Sequence, residues 1–588
     1  MEKIIIIDSI SCVKMRLEPQ IGPLIIRDIL SEEFETELIS FTTQFYLGEI
    51  ELLPTIDENI EQFSRTILEK KPQAVSFYTM CDSFYISVKL AQKVKEKSPD
   101  IKIVMGGPHA TLIARDILTE FEFVDVVAMG EGEKTALNIF SALFGKIEMD
   151  NLYGIAYRNA GKIQINPLPE LISEDELSKY QPKSFSPYAL DKFSGMSIEG
   201  GRGCPFGCTF CSTKSFWGRK YRIKPINDLI AEMDRLEREY GFDYFVIQHD
   251  LFTVNKKKVL NFCNRLIDEK KRYSWGCSSR VDVLDYELIE QMAAAKCKDV
   301  FLGIETGSER MQVLLNKNLK FTKAYEIMEY MLERGLEVTL SFIFCYPEET
   351  LEDFEQTARM IERCFLMGIK NIALHMFMLL PKTEETNKVF DKSFFNEKQL
   401  ETSIFSSGLY TDSSIQFIQE HKSCFIQFYS FDSEVRERYG SFNVFVEILQ
   451  SVQSIYKFAI RMLLEKKGII NLYDENIEII KNVKEEINSK DFTAIAENRF
   501  KVCLNAMKEI LGKYDSIREE LSREQIEVLR FEDILCGHCF SDDYEKITYI
   551  FDMDVTEYRK TGKAKPVSVA LTIEKRASGG LHVKKQRR

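Results

Sequence analysis

Short, continuously apolar runs alternating with amphipathic stretches fill this 588-residue chain up to about residue 380, and that rhythm leaves few folds open. Ile4 to Asp8, Glu37 to Thr42, Ala74 to Tyr78, Lys102 to Met105 and Asp125 to Ala128 read as strands, with helices such as Ser87 to Lys97 and His109 to Glu120 between them. Runs that are apolar throughout, rather than at every second residue, suit parallel strands buried on both faces. A second series begins at Ser197. Its strands are Ser197 to Gly200, Tyr244 to Gln248, Ser274 to Ser278, Val300 to Ile304, Val338 to Phe344 and Asn371 to Met376, with helical segments between them. Six such units without a reversal predict a partial (β/α)6 barrel, whose chemistry belongs on the loops at the carboxyl ends of its strands.

The reading is an α/β protein: an N-terminal Rossmann-like doubly wound domain (1–150), a linker with a small hairpin (151–190), the barrel (191–390), a mainly helical C-terminal domain (391–558) assigned to substrate recognition, and a solvated basic tail (559–588). The tail carries ten Lys or Arg against one Glu. Elsewhere acidic residues prevail. The formal net charge of −13 excludes a surface made for general nucleic-acid binding or for anionic membranes. The apolar runs are too short for a membrane span, and Met1 to Asp8 has no signal-peptide pattern, so the expectation is a soluble cytoplasmic protein. In that compartment 14 Cys do not make a disulfide scaffold, and clustered thiols mean metal or catalysis.

One cluster stands out, in Arg202-Gly203-Cys204-Pro205-Phe206-Gly207-Cys208-Thr209-Phe210-Cys211, directly after the first barrel strand. Thiolates are soft ligands suited to iron–sulfur or zinc, and the glycines let backbone wrap closely. A structural zinc wants a fourth protein ligand, yet Cys263 and Cys277 lie on separate predicted elements. Three Cys suit a 4Fe-4S cluster with one iron left open.

Cys204, Cys208 and Cys211 match the CxxxCxxC signature of the radical S-adenosylmethionine (SAM) superfamily, and the resemblance extends over about Gly195 to Pro381. It implies that the open iron binds SAM, that the reduced cluster cleaves it to a 5'-deoxyadenosyl radical, and that Phe210 lies near the adenine. It further implies SAM contacts at successive strand ends: Asp250, in Gln248-His249-Asp250; Ser278 and Arg280, the latter as a clamp for the SAM carboxylate; and Glu305, in Gly303-Ile304-Glu305-Thr306-Gly307. Cys345 stands where relatives usually have Gly, which makes it a candidate catalytic thiol or a small buried side chain.

Gly106-Gly107-Pro108-His109 and Gly130-Glu131-Gly132 resemble the loops of the cobalamin-binding domain that precedes many radical SAM cores, so Gly106, Gly107, Pro108, His109, Gly130 and Gly132 are expected at cobalamin. The sequence departs from the Asp-x-His-x-x-Gly motif of other cobalamin proteins, because Asp8 is followed by Ser9-Ile10-Ser11-Cys12 and no His occurs before His109. The implied activity is cobalamin-dependent C-methylation of a natural product, small molecule or peptide, anaerobic, with a reductant such as flavodoxin or ferredoxin. Radical modification without methyl transfer (epimerisation, crosslinking, ring rearrangement) is the alternative, and an iron–sulfur binding or sensor protein without turnover is the reading from another class. Cys536-Gly537-His538-Cys539 has metal-like spacing but no second pair, and reads as structural or surface thiols. Cys204→Ala, Cys208→Ala and Cys211→Ala are each expected to abolish both the visible absorbance of a reconstituted iron–sulfur cluster and SAM cleavage; an unchanged spectrum in any of them refutes the assignment.

Overall fold

The computed structural model describes residues 1–10, 18–402, 409–487, 495–514, 517, 521–540, 547–551, 555–556, 559, 569–575 and 581–587. Met1–Glu305, Glu309–Glu349 and Phe377–Glu434 make one compact unit; Thr306–Ser308, Thr350–Met376 and Val435–Arg588 make a second.

The first unit begins with a seven-stranded sheet of β1 (Lys3–Ile7), β2 (Glu35–Ile39), β3 (Ala74–Tyr78), β4 (Lys102–Gly106), β5 (Val126–Ala128), β6 (Ile155–Asn159) and β7 (Lys162–Ile165), in the order 2-1-3-4-5-6-7. The first five strands are parallel. Ile4 to Ile7 are all buried, as a run covered on both faces requires. The order reverses between β1 and β3, which opens a crevice at the carboxyl edge where doubly wound sheets bind ligands. Asp8 stands at that edge, where burial pushes its pKa up to about 7 and Tyr188 donates a hydrogen bond to it at 2.8 Å. The hairpin expected inside a linker is part of this sheet: β6 pairs antiparallel with β5 and β7 with β6.

The second sheet of this unit runs in sequence order through β8 (Met196–Glu199), β11 (Tyr244–Gln248), β12 (Ser274–Ser279), β13 (Cys297–Glu305) and β14 (Glu337–Phe344), all parallel. Between β8 and β11 a two-residue antiparallel ladder, β9 (Gly201–Arg202) and β10 (Arg222–Ile223), brackets the cysteine loop. The sixth strand of the series, β15 (Asn371–Met376), lies in the second unit. The covering helices follow local rules. Lys256–Asp268 is capped by Asn255, Tyr286–Ala294 by Asp285, and Ile226–Tyr240 stops at Gly241, whose φ of 77° is left-handed. Between sheet and helices Trp275 is fully buried, edge-on to Phe262 at 5.2 Å, with its Nε1 donating to the Ala295 carbonyl at 2.9 Å.

Residues 391–434, expected to open the C-terminal domain, belong instead to the first unit. Aromatic packing is the reason: Phe417 stacks on Phe121 at 5.9 Å, and Phe425 meets Phe84 at 5.5 Å. The second unit is mainly helical, with Leu351–Met367, Phe442–Val452, Lys457–Lys467, Ile469–Glu475, Ile477–Ile487, Ile495–Lys513 and Arg523–Phe540. The tail, expected to be solvated, supplies two strands, Val569–Lys575 and Leu581–Arg587, of an antiparallel sheet with Ile547–Phe551, and its Lys584 and Lys585 are exposed. Val569, Thr572 and Ile573 are β-branched residues that favour a strand. Cys536 is buried in Arg523–Phe540, whereas the side chains of His538 and Cys539 lie outside the described residues. Among the described residues no helix is long and apolar enough to cross a membrane.

Trp275→Ala is expected to cost about 3–5 kcal/mol, because the sheet cannot collapse onto the space left. Urea unfolding followed by circular dichroism checks this, with Phe394→Ala, an exposed position, as the neutral control.

Candidate functional site

The cysteine loop starts where β9 ends. Gly203 has a φ of 86°, and a Cβ there would stand 2.0 Å from the Lys220 carbonyl, so only glycine fits. Its N–H donates to Asp250 Oδ2 at 2.7 Å. On the other flank Thr209 N–H donates to the Leu315 carbonyl at 3.1 Å, and Asn316 Nδ2 to the Gly207 carbonyl at 3.0 Å. The loop is thus held by the turn that follows β11 and by the turn that follows the helix Glu309–Leu314.

Cys204, Cys208 and Cys211 face one another closely enough for their charges to interact. Among the described residues no three Cys, His, Asp or Glu side chains form a group able to hold a single metal ion. Burial raises the Cys204 and Cys208 thiol pKa values; at Cys208, Lys317 and Arg280 oppose that rise. Two buried hydroxyls, Thr209 Oγ1 on the loop and Tyr346 OH beside Phe210, have no partner among the described residues. Three thiols, a close glycine backbone and unsatisfied donors fit a three-thiolate iron–sulfur cluster with a polar ligand.

The other expected SAM residues are placed unevenly. Phe210 packs edge-on against Tyr346 at 5.8 Å. Arg280, expected as a free clamp, has four of its five N–H groups engaged: two on Asp282 at 2.9 and 2.8 Å, one on the Lys317 carbonyl at 2.8 Å and one on Cys208 Sγ at 3.7 Å. Its guanidinium lies 3.9 Å from the centre of the Phe206 ring. Glu305 folds back over Gly303 and accepts from Lys317 Nζ at 2.9 Å, a nearly closed pair. Asp250 steadies the loop through Gly203. Ser278 is half-buried on β12, in register with Phe301. Cys345 is wholly buried at the end of β14 and lies off the cavity described below; its φ of 65° explains why glycine is expected there.

A cavity of about 680 Å³ lies in the first unit, within the roughly 300–1,000 Å³ of small-molecule and cofactor sites. One wall is the carboxyl edge of the first sheet, with Ser76, Val104, Ala128 and five of the six residues expected at cobalamin: Gly106, Gly107, Pro108, Gly130 and Gly132. The sixth, His109, is turned away. It is buried against Phe84 at 4.4 Å, with Nε2 3.3 Å from the Cys424 carbonyl, and burial lowers its pKa to about 4. The facing wall carries Ser212, Thr213, Trp217, His249 and Asp250. His249 Nδ1 accepts from the Leu251 N–H at 2.9 Å, so its Nε2 carries the proton and donates to the Arg222 carbonyl at 3.0 Å. Burial lowers its pKa to about 4 as well. The glycine-bearing wall therefore offers small side chains to a flat ring, and His249 on the facing wall offers no free imidazole nitrogen to a metal, in keeping with the missing His after Asp8.

The radical SAM superfamily model matches residues 198–361 and the B12 binding domain model residues 18–140. Both domains are present in this chain. The radical SAM domain implies a 4Fe-4S cluster and SAM, and the B12-binding domain implies cobalamin. An uncharacterized methyltransferase of Pyrococcus horikoshii is 26% identical over 350 residues, covering 59% of this chain and 73% of that protein. The anaerobic magnesium-protoporphyrin IX monomethyl ester cyclase of Rubrivivax gelatinosus is 28% identical over 323 residues, 52% of this chain and 57% of the cyclase. The structure of OxsB, a cobalamin-dependent SAM radical enzyme with aqua-cobalamin and SAM bound, superposes with a TM-score of 0.55 at 14% identity, covering 89% of this chain and 82% of OxsB, and shares the fold.

Sequence reasoning passed over what joins the two domains. Arg202 holds Glu131, Glu133 and Glu199, and Arg222, which also binds Glu131, lies 5.2 Å from the centre of the Trp217 ring. The signal was present: both glutamates flank Gly132 and Arg202 precedes Gly203, in motifs read only for their glycines and cysteines.

The two buried histidines set a pH dependence. Between about pH 6.5 and 4 the unfolded chain binds protons that folded His109 and His249 refuse, so their contribution is complete above that window and is lost as pH falls, on the order of 2 kcal/mol each by pH 5. Asp8, raised to about 7, acts in the opposite sense. The difference therefore carries the test: between pH 7 and 5 the melting temperature of wild type should fall further than that of His109→Phe.

Proposed function

We propose that the chain is a radical SAM enzyme that uses cobalamin to methylate an unactivated carbon of a natural product or peptide. The observation that carries this reading is one cavity lined by both domains: the glycine strip of the B12-binding domain lines it together with Ser212, Thr213 and Asp250, which adjoin the cysteine loop. Cys204, Cys208 and Cys211 would hold a cluster that with SAM would supply a carbon-centred radical on reduction, and the glycine strip of the cavity would hold cobalamin, which would supply a methyl carrier.

The chain's own contribution is placement. Asp250, Leu315 and Asn316 hold the thiol loop from both flanks. Arg280 and Lys317 favour the thiolate of Cys208 against its burial. Phe216 and Trp217 set apolar surface on the cavity wall and so limit water beside reactive groups. The enzyme needs a one-electron reductant, a flavodoxin or ferredoxin, and works without oxygen in the cytoplasm. Substrate choice we assign to the mainly helical C-terminal domain.

A second reading has support in the relatives, one of which is named a methyltransferase and another a cyclase. Radical modification without methyl transfer uses the same site. One experiment separates the readings: anaerobic incubation of the reconstituted, hydroxocobalamin-loaded protein with SAM, reductant and candidate substrates. Methylation predicts that 5'-deoxyadenosine and S-adenosylhomocysteine both accumulate with product. 5'-Deoxyadenosine alone supports the second reading, and neither product with any reductant refutes both.

A further inference from the structure

Arg202 is the residue at which the cysteine loop leaves the sheet, and it is also the centre of a buried ion cluster. Its guanidinium donates to Glu199 at 2.6 Å, Glu131 at 2.7 Å and Glu133 at 2.6 Å. Arg222 Nη1 reaches both oxygens of Glu131 at 2.9 Å, and the Ile172 N–H donates to Glu131 Oε2 at 2.7 Å. The side chains of Glu131, Arg202 and Arg222 are only 2%, 10% and 9% exposed. Two cations against three anions leave a negative excess away from water, and Arg222 Nε and Nη2 have no partner among the described residues. Such a cluster is a weak source of stability, because desolvation offsets most of its Coulomb energy. Its strength is directional. The fork of Arg202 admits few positions for the carboxylates it holds.

The same carboxylates belong to the cavity. Gly130, Glu131, Gly132 and Glu133 all line it, as does Arg202. A ring seated against Gly130 and Gly132 bears on the backbone that carries Glu131. At the other end Arg202 is one peptide from Gly203, whose N–H is fixed by Asp250, and two from Cys204. We propose that the Glu131–Arg202 contact couples occupancy of the cavity to the geometry of the cysteine loop, so that Glu131 is a positioning residue for the three thiols. The proposal rests on the functional reading above, in which the cavity takes cobalamin and the thiols hold a cluster. Coupling is reciprocal: the factor by which the cluster tightens cobalamin equals the factor by which cobalamin stabilises the cluster.

The test is a spectroscopic titration of the full-length protein with hydroxocobalamin, before and after anaerobic cluster reconstitution, together with the rate of iron release to a chelator with and without hydroxocobalamin. In wild type the cluster should tighten hydroxocobalamin binding about 5-fold or more. In Glu131→Gln, which keeps the shape and removes the charge, hydroxocobalamin should still bind, the cluster should still assemble, and the coupling between them should fall, Arg202 keeping only Glu133 on that loop. If Glu131→Gln does not fold, Arg202→Lys, which loses the fork, should show the same loss of coupling. Equal coupling in wild type and variant overturns the proposal, as does a wild type that binds hydroxocobalamin equally with and without its cluster; both outcomes leave the functional reading standing. A wild type that binds no hydroxocobalamin overturns the cobalamin reading and the proposal with it.

Discussion

Five charged side chains hold the first unit to its purpose. Glu131 and Glu133 come from the loop after β5, Glu199 from the end of β8, and Arg202 and Arg222 from the small ladder around the cysteine loop. Each parallel sheet presents the carboxyl ends of its strands to loops, and those loops are where cofactors are met. Two such edges in one chain need not face a common space. Here the guanidinium of Arg202 binds carboxylates from both sheets, and a cavity results that neither sheet could enclose alone. Arg202 is followed at once by Gly203, whose N–H donates to Asp250.

Much of this was legible in the sequence because burial and backbone sterics write local signatures. Ile4 to Ile7 read as a strand covered on both faces, and Gly203, Pro205 and Gly207 among Cys204, Cys208 and Cys211 marked a loop. The glycines of Gly106-Gly107 and Gly130-Glu131-Gly132 marked the ligand edge because a flat wall needs side chains to be absent there. What failed to show was long-range. Nothing near Phe417 or Phe425 says that their partners are Phe121 and Phe84, so local pattern alone groups residues 391–434 with the helices that follow them. Charge masked the strands at 569–575 and 581–587, since composition weighs Lys and Arg while pairing depends on alternation.

The same limit applies to individual side chains. Arg280 and Glu305 stand at the strand ends where ligand contacts were sought, yet each meets a protein partner, Asp282 and Lys317. A sequence shows that a charge is present at a strand end but not whether a neighbour already satisfies it. His109 is the sharper case. One residue past Pro108, it faces away from the cavity because the first turn of the helix directs its ring against Phe84 and the Cys424 carbonyl, binding the 391–434 segment rather than a ligand.

Glu305 and Cys345 share a backbone feature with a consequence for how this chain can vary. Both end barrel strands in the left-handed region, at φ of 71° and 65°, where a side chain costs roughly 1–2 kcal/mol that glycine avoids. Glu305 offsets the cost through Lys317, and Cys345 through its N–H donating to Glu349. Backbone geometry admits glycine or asparagine at both positions and bars valine, isoleucine and threonine, but at 305 the loss of Glu would leave Lys317 buried without its partner. At the mouth of the barrel, backbone geometry narrows the choice of residue before any ligand does.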